Sequence, residues 1–488
     1  MLIVPVTCSV EIKNVAQQEK IQRLRSFMFW PCGCGNFSGQ QFECRGMDIR
    51  GGTLVSQMYI AEYYQHGADI REIIDRSPGD DHCRIFDYCI AGLTSGPGMD
   101  SNCALHTERP RRLMADRRPC PSPSTKGLQV VTLQNGGFEE CFITVPAVGN
   151  ETPAQLMECL ETYMSAHPDL RIVRQDIFGQ DMDSQTGHAA LQLRLGKHEW
   201  PVTIIGQGNG AGCPVAGVQV HAVSGVTATP LVLGDRVIGV AYEDDDARYC
   251  ELGGLFARLA RKSRINQARE VFELIEEGLR LAGMTFANVY RTWFYLDNIL
   301  EWYDDFNEVR NAFFKERKVY DGLVPASTGV GGSNAAGAAV IANAIAIKPK
   351  NPKLKVLAVP SPLQCPALKY GSSFSRAVEI DLPTQNRLYV SGTASIGPDG
   401  RTAYVGDVNK QVSLTMEVVR AILRSRGMDW CDVTRAIGYF KHAEDAPAFD
   451  RYCTSNKLPL MPAIIAKNDI CRDDLLFEVE VDAVRFTR

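Results

Sequence analysis

The chain has 488 residues, too many for one ordinary core, with 45% apolar residues, 22% charged residues and a formal net charge of −5. That acidic balance gives no reason to expect nucleic acid as a partner. No apolar run reaches the roughly 20 residues that a membrane-spanning helix requires. Met1 to Val10 is apolar but has no basic residue before it and runs straight into Glu11 and Lys13, a poor export signal. A cytoplasmic location is therefore expected, with the 16 cysteines mostly reduced.

Residues 1–128 stand apart from the rest. Cys8, Cys32, Cys34, Cys44, Cys83, Cys89, Cys103 and Cys120 fall here, apolar periodicity is scarce, and Pro119, Pro121 and Pro123 mark a linker. Cys32, Cys34 and Cys44 offer three thiols, but no second close pair completes a tetrahedral zinc set, so no metal site is expected. This stretch reads as a poorly ordered or unassigned extension, and a true start near residue 128 is an alternative.

From about Gly136 a repeating pattern sets in. Thr152 and Pro153 form a helix start, Thr as cap and Pro in the first turn. The helix runs through Leu156, Met157, Leu160 and Tyr163, and a strand follows from Ile172 to Phe178, with Arg174 near its start. Gly206, Gly208, Gly210 and Gly212 then lead into a strand over Val218 to Val223. They precede a strand and not a helix, so the helix N-terminus that cradles phosphate is missing.

The second copy opens at Gln267 with an amphipathic helix (Val271, Phe272, Ile275, Leu279) that stops at Gly283, where a left-handed turn suits glycine. A strand follows from Val289 to Tyr295, including Arg291. Gly329, Gly331 and Gly337 lead into Val340 to Ile345, as the glycines of the first copy lead into Val218. The third copy repeats the second: Gln411 opens a helix (Leu414, Val418, Val419, Ile422, Leu423), Gly427 ends it, and Val433 to Tyr439 is the strand, with Arg435 in the place of Arg291. Near the C-terminus Phe477, Val479 and Val481 alternate with Glu478, Glu480 and Asp482, which puts three acids on one face of a strand. For Glu480 and Asp482 a solvated face is the preferred reading.

Each unit thus reads as strands, helix, strand, helix, strand: an α+β layer with helices on one sheet face. The expected units are 129–225, 226–350 and 351–488. Packing three of them around a common axis covers the sheet faces left bare.

These units resemble the Rid (YjgF, endoribonuclease L-PSP-like) family, whose members usually associate as homotrimers with ligand sites in the clefts between subunits. The resemblance implies a chorismate-mutase-like pseudo-trimer within one chain, hence a monomer or low-order oligomer. From Tyr290 onward the chain resembles the chorismatase branch more closely. The matching pieces are Arg291, Trp293 and Tyr295; Pro325 to Gly331; Tyr370 and Gly371; Phe374, Arg376 and Ala377; Leu388 to Ile396; Gly406, Asp407 and Gln411; and Ile470 to Glu480. Two departures stand out: the tract between Tyr370 and Phe374 is short for that branch, and chorismatases have two such units where this chain has three.

Chorismate carries two carboxylates and an enolpyruvyl ether, so the resemblance implies a proton donor and cationic partners for both carboxylates. Glu478 matches the catalytic acid of the branch. Arg376 and Arg291 are the candidate carboxylate partners, although Arg291 recurs as Arg174 and Arg435 and so reads equally as a repeated ion pair. Tyr370 offers a hydroxyl, with a core tyrosine as the alternative. Cys471 and Gly392 match the pair found in 3-hydroxybenzoate-forming chorismatases, where dihydrodiol-forming ones tend to hold alanine at both; as a thiol, Cys471 also reads as a small buried hydrophobe. A small-molecule carboxylate substrate is expected, with no cofactor, metal, nucleic acid or membrane.

Two other readings compete. A Rid-type imine or enamine deaminase places an arginine directly after the Pro-Ala of its last unit, whereas Ile464 follows Pro462 and Ala463 here, and Ser327 follows Pro325 and Ala326. The other is a non-catalytic small-metabolite binder. A ribonuclease finds no support in clustered basic and aromatic residues.

Overall fold

The computed structural model describes residues 2–11, 41–50, 53–62 and 127–486, less 136, 150, 152, 180–193, 207–216 and 259–261. The chain divides into two compact units, Met1–Arg112 and Leu113–Arg488. In the first, β1 (Leu2–Glu11), β2 (Gln41–Arg50) and β3 (Thr53–Glu62) form an antiparallel sheet with β3 in the middle. The sequence pattern suggested no element there. Cys32, Cys34, the proline linker and the glycines at 208, 210 and 212 lie outside the described residues.

The second unit contains three mixed sheets. The first has the order β4-β5-β8-β6-β7, from β4 (Gln129–Asn135), β5 (Phe138–Pro146), β6 (Arg171–Gly179), β7 (Val202–Gly206) and β8 (Gly217–Ser224), with helix α1 (Pro153–Ala166). The second has the order β13-β12-β14-β11-β10-β9. Its strands are β9 (Thr229–Leu233), β10 (Arg236–Glu243), β11 (Ala247–Leu255), β12 (Val289–Leu296), β13 (Ala326–Gly331) and β14 (Val340–Pro349), and its helices are α2 (Arg264–Leu281) and α3 (Tyr303–Glu316). The third has the order β15-β16-β17-β20-β18-β19. It comprises β15 (Lys355–Val359), β16 (Ala377–Asp381), β17 (Gln385–Ala394), β18 (Val433–Phe440), β19 (Ala463–Lys467) and β20 (Phe477–Phe486), with α4 (Val408–Ser425) and α5 (Pro447–Ser455).

The repeated residues have evident physical jobs. Gln267 and Gln411 are buried amides that satisfy stranded backbone groups. Gln267 accepts from the Ala339 N–H at 2.8 Å, and Gln411 accepts from the Leu476 N–H at 2.8 Å, each tying its helix to the loop before its sheet's last strand. Gly283 and Gly427 adopt φ of 68° and let the following methionine N–H reach back to the helix, a turn that a side chain would strain. Arg174, Arg291 and Arg435 each follow a register shift in their strands, so a bulge aims all three.

Each sheet packs one face against its own helices. Ile143, Leu160 and Val218 do so in the first, Phe272, Phe294 and Phe313 in the second, and Leu388, Val419 and Val481 in the third. The opposite faces of all three meet in a shared core containing Val173, Phe178, Trp293, Tyr295, Ile437 and Tyr439. Burying both faces of every sheet is what removes the bare layer each unit would present alone. Among the described residues no helix is long and apolar enough to cross a membrane.

Candidate active site between the second and third sheets

Glu478 lies near the start of β20, paired with Tyr439 on one side and Ala394 on the other. It is buried, and no hydrogen bond to its carboxyl is present among the described residues. The register of β17 shifts between Val390 and Thr393, which sets Gly392 beside Glu478. A Cβ at Gly392 would collide with Glu478 Oε1, so a side chain there requires this carboxyl to shift. Burial first, and the neighbouring Glu480 second, push the Glu478 carboxyl up to about 8.

Glu480, two residues on, has the opposite surroundings. Its side chain is fully enclosed, contrary to the solvated face expected, because the third sheet turns this face toward the second sheet. Arg291 pairs with it at 2.9 Å, Arg435 at 2.7 Å, the Trp293 indole N–H donates at 2.8 Å and the Thr328 hydroxyl at 2.5 Å. These partners hold the carboxylate below its ordinary range in spite of burial. Asp482 is also buried, with Arg435 at 3.3 Å, so the solvated reading fails for it as well.

Arg291 is fully enclosed and engaged by Glu480 and Thr328. Arg174, Arg291 and Arg435 converge on the Trp293 ring, with guanidinium carbons 4.8, 4.5 and 5.2 Å from its centroid. The repeated arginines are therefore a shared ionic core as well as a repeated bulge.

Arg376 precedes β16 and is buried, donating to the Cys365 carbonyl at 3.0 and 2.8 Å. Its guanidinium lies 5.5 Å from the ring centroids of Tyr370 and Phe374 and acts on the Glu478 carboxyl. Tyr370 ends a single 3₁₀ turn (Ala367–Tyr370), and burial raises its hydroxyl pKa. Burial, then the Glu478 charge, pushes the Cys471 thiol up to about 12, so it is a neutral thiol and not a nucleophile at ordinary pH.

Two further residues close the site, and both come from α3. Burial raises the Tyr303 hydroxyl pKa, with Cys471, Arg310 and Glu478 all acting on it. Arg310 is 2% exposed, donates to Asn307 on the preceding turn and leaves its Nε without a partner. Of the buried arginines Arg174, Arg291, Arg310, Arg376, Arg387 and Arg435, only Arg310 and Arg376 make no ion pair among the described residues. Arg376 acts on Glu478, and Arg310 acts on Cys471 and Tyr303. The sequence signal for Arg310 was its spacing: it sits on the face of Tyr303, Phe306, Phe313 and Phe314, where a buried cation is out of place.

The registers locate the counterparts of this site in the other sheets. Glu478 pairs with Tyr439 as Ile341 pairs with Tyr295 and Gly217 with Phe178, so neither counterpart is an acid. Between the first and second sheets, Thr203 and Asn343 stand where Thr328 and Glu480 stand in the acidic cleft. Thr203 donates to Asn343 at 2.7 Å and accepts from the Gly254 N–H at 3.0 Å. Between the first and third sheets, a Cβ on Gly217 would overlap Ile464.

No family model matches the chain. The chain is 26% identical over 273 residues to a 3-hydroxybenzoate synthase of Streptomyces hygroscopicus, spanning 50% of this chain and 75% of that relative. A chorismatase of Streptomyces hygroscopicus is 28% identical over 212 residues, or 39% of this chain and 60% of the relative, so less than two thirds of the second relative is matched. A chorismatase crystal structure superposes with a TM-score of 0.49 at 20% identity, covering 64% of this chain and 92% of that one. The chain is thus similar to curated relatives named 3-hydroxybenzoate synthase and chorismatase, in line with the resemblance carried by its motifs.

Proposed function

We propose that this chain is a chorismatase-type enzyme that converts chorismate to pyruvate and 3-hydroxybenzoate in a single cleft per chain. The observation that carries the proposal is a buried, unbonded carboxyl, Glu478, beside two buried arginines that have no carboxylate of their own, Arg376 acting on Glu478 and Arg310 on Cys471. A protein rarely leaves buried guanidinium groups without an anion. Arg310 and Arg376 suit a dicarboxylate, and Arg291 serves by holding Glu480.

In this reading Glu478 gives its proton to the enol-ether methylene, placing positive charge on the ether carbon. The neighbouring ring hydroxyl oxygen, losing its proton, bonds to the ether-bearing ring carbon as that carbon's bond to the ether oxygen breaks. The hydroxyl oxygen's bond to its original carbon then breaks as the formerly ether-bearing carbon gives up its C–H proton, which passes to the oxygen, and the ring aromatises. Pyruvate leaves with the ether oxygen, and the proton shed by the ring hydroxyl returns to Glu478. Product atoms equal those of chorismate, so no water enters. The pair Gly392 and Cys471 supports the 3-hydroxybenzoate outcome, since the resemblance associates it with that product.

The three-sheet core supports a pseudo-trimer of Rid-like units, and the absence of an acid at Gly217 and Ile341 supports one working cleft among the three. A deaminase is less well supported, because Ile464 takes the place of its arginine and is packed against Gly217. The test is incubation of purified protein with chorismate, resolving pyruvate and aromatic products by chromatography, beside Glu478→Gln. Pyruvate with 3-hydroxybenzoate, lost in the variant, is expected. No turnover by folded protein would sink the reading.

A further inference from the structure

The two acids on one face of β20 differ in a way that bears on how a proton is kept in the cleft. We propose that Glu480 is a positioning residue: held as an anion by Arg291, Arg435, Trp293 and Thr328, it keeps the proton on Glu478. The inference rests on the reading of Glu478 as proton donor.

Three observations support it. First, the two carboxyl groups are i and i+2 on one strand, on the same face, and both are buried, so a fixed negative charge on one disfavours ionisation of the other. Second, three donors to Glu480 and the ion pair with Arg435 fix which of the two carries the charge, while Glu478 has no donor among the described residues. Third, the cleft between the first and second sheets is built on the same scaffold with an amide at the position of Glu480. There Thr203 bridges the Gly254 N–H and Asn343, as Thr328 bridges the Gly392 N–H at 3.0 Å and Glu480. Asn343 is neutral and donates to Asp176 at 2.8 Å, and Ile341 replaces the acid. The scaffold thus forms with a neutral amide. A carboxylate at this strand position is therefore not required by the scaffold, the buried carboxylate there being Asp176 on β6, paired with Arg174 at 3.2 Å.

The other charged and titratable groups facing Glu478 are Arg291 from β12, Arg376 before β16, Tyr303 from α3, and Cys471, with Arg310 behind the last two. Arg291 and Arg376 favour ionised Glu478, burial opposes them, and Glu480 adds to that opposition.

The test follows the protonated Glu478 carboxyl by infrared spectroscopy of the full chain without substrate, the band being assigned by its loss in Glu478→Gln. In the charge-balanced pair Glu480→Gln with Arg435→Gln, Arg291 stays and the Glu480 anion goes. The midpoint of the band is expected to fall by roughly one pH unit or more. Arg435→Gln alone leaves the Glu480 charge less neutralised and is expected to move the midpoint the other way. An unchanged midpoint in the pair, or a fall with Arg435→Gln alone, overturns the proposal. These midpoints are read without turnover, so absence of chorismate cleavage would remove the functional reading while leaving this result standing.

Discussion

Gly392 faces the Glu478 carboxyl so closely that a Cβ at position 392 would occupy the space of Glu478 Oε1. The relationship makes a glycine on one strand a determinant of an acid on the next. Gly392→Ala should push the Glu478 carboxyl aside, lowering kcat/KM at least tenfold and costing about 1–3 kcal/mol of stability by overpacking. Adding Cys471→Ala removes bulk on the same cleft wall and reproduces the alanine pair of dihydrodiol-forming chorismatases. Chromatography of the products should then show 3-hydroxybenzoate giving way to the dihydrodiol acid. An unchanged product ratio in the double variant would detach this pair from product choice.

Because Glu478 keeps its proton up to about pH 8, general-acid catalysis should persist through neutrality and decline above that point. An ordinary carboxyl would already have lost its proton near pH 4.5. The expected profile of kcat/KM on chorismate is level from about pH 6 to 7.5 and falls toward one decade per pH unit above 8. Glu478→Gln should lower the rate by about 10²–10⁴ on the plateau and abolish the decline above pH 8. A decline already complete at pH 6 would contradict the protonated acid.

Arg310 and Arg376 are expected to act on substrate carboxylates, so their removal should weaken binding more than chemistry. Charge-assisted hydrogen bonds of this kind contribute about 1.5–3 kcal/mol, or roughly a 10- to 150-fold change in kcat/KM for each Arg→Gln, mostly through KM. Arg310→Lys should restore only part, since an ammonium does not reproduce the planar fork. Equal KM values for wild type and both variants would show that these cations serve another purpose.

Much of the fold was legible because its signals are local. Gln267 and Gly283, repeated as Gln411 and Gly427, bracket helices whose apolar faces obey the 3.6-residue period, and the strands after them alternate. Glu478 was likewise legible as an acid on a strand near the C-terminus. The fate of its neighbours was not. Glu480 is enclosed by partners 152 and 189 residues away in the chain, Thr328 and Arg291, so nothing near it in sequence shows that its face is covered. Arg310 went unnoticed for a related reason: α3 reads as an ordinary core helix until the loop bearing Cys471 and the strand bearing Glu478 are placed beside it.

Only one of the three inter-sheet clefts has an acid at the position of Glu478, so one ligand should bind per chain. Titration calorimetry with 3-hydroxybenzoate is expected to give a stoichiometry near one, lost in the double variant Arg310→Gln with Arg376→Gln. Two or three equivalents would mean that the clefts of Ile341 or Gly217 also bind.

His221 offers the clearest stability test. It is buried, stacked on Phe142 with ring centroids 4.5 Å apart, and set between Glu251 at 2.5 Å and Glu140 at 3.3 Å. Burial opposes its charge, but the two carboxylates outweigh burial and push the imidazole up to about 9. Its folded value lies above the ordinary 6.5, so the charged form stabilises the fold fully below pH 6.5, and that stability drains away as pH rises through 9. The loss across this window is on the order of 3 kcal/mol. Urea unfolding at pH 6 and pH 9.5 should therefore show the wild type losing stability between the two. His221→Gln should be less stable at pH 6 and show a smaller loss, since neutral glutamine cannot follow the proton. Parallel losses in the two proteins would mean that another group carries the pH dependence.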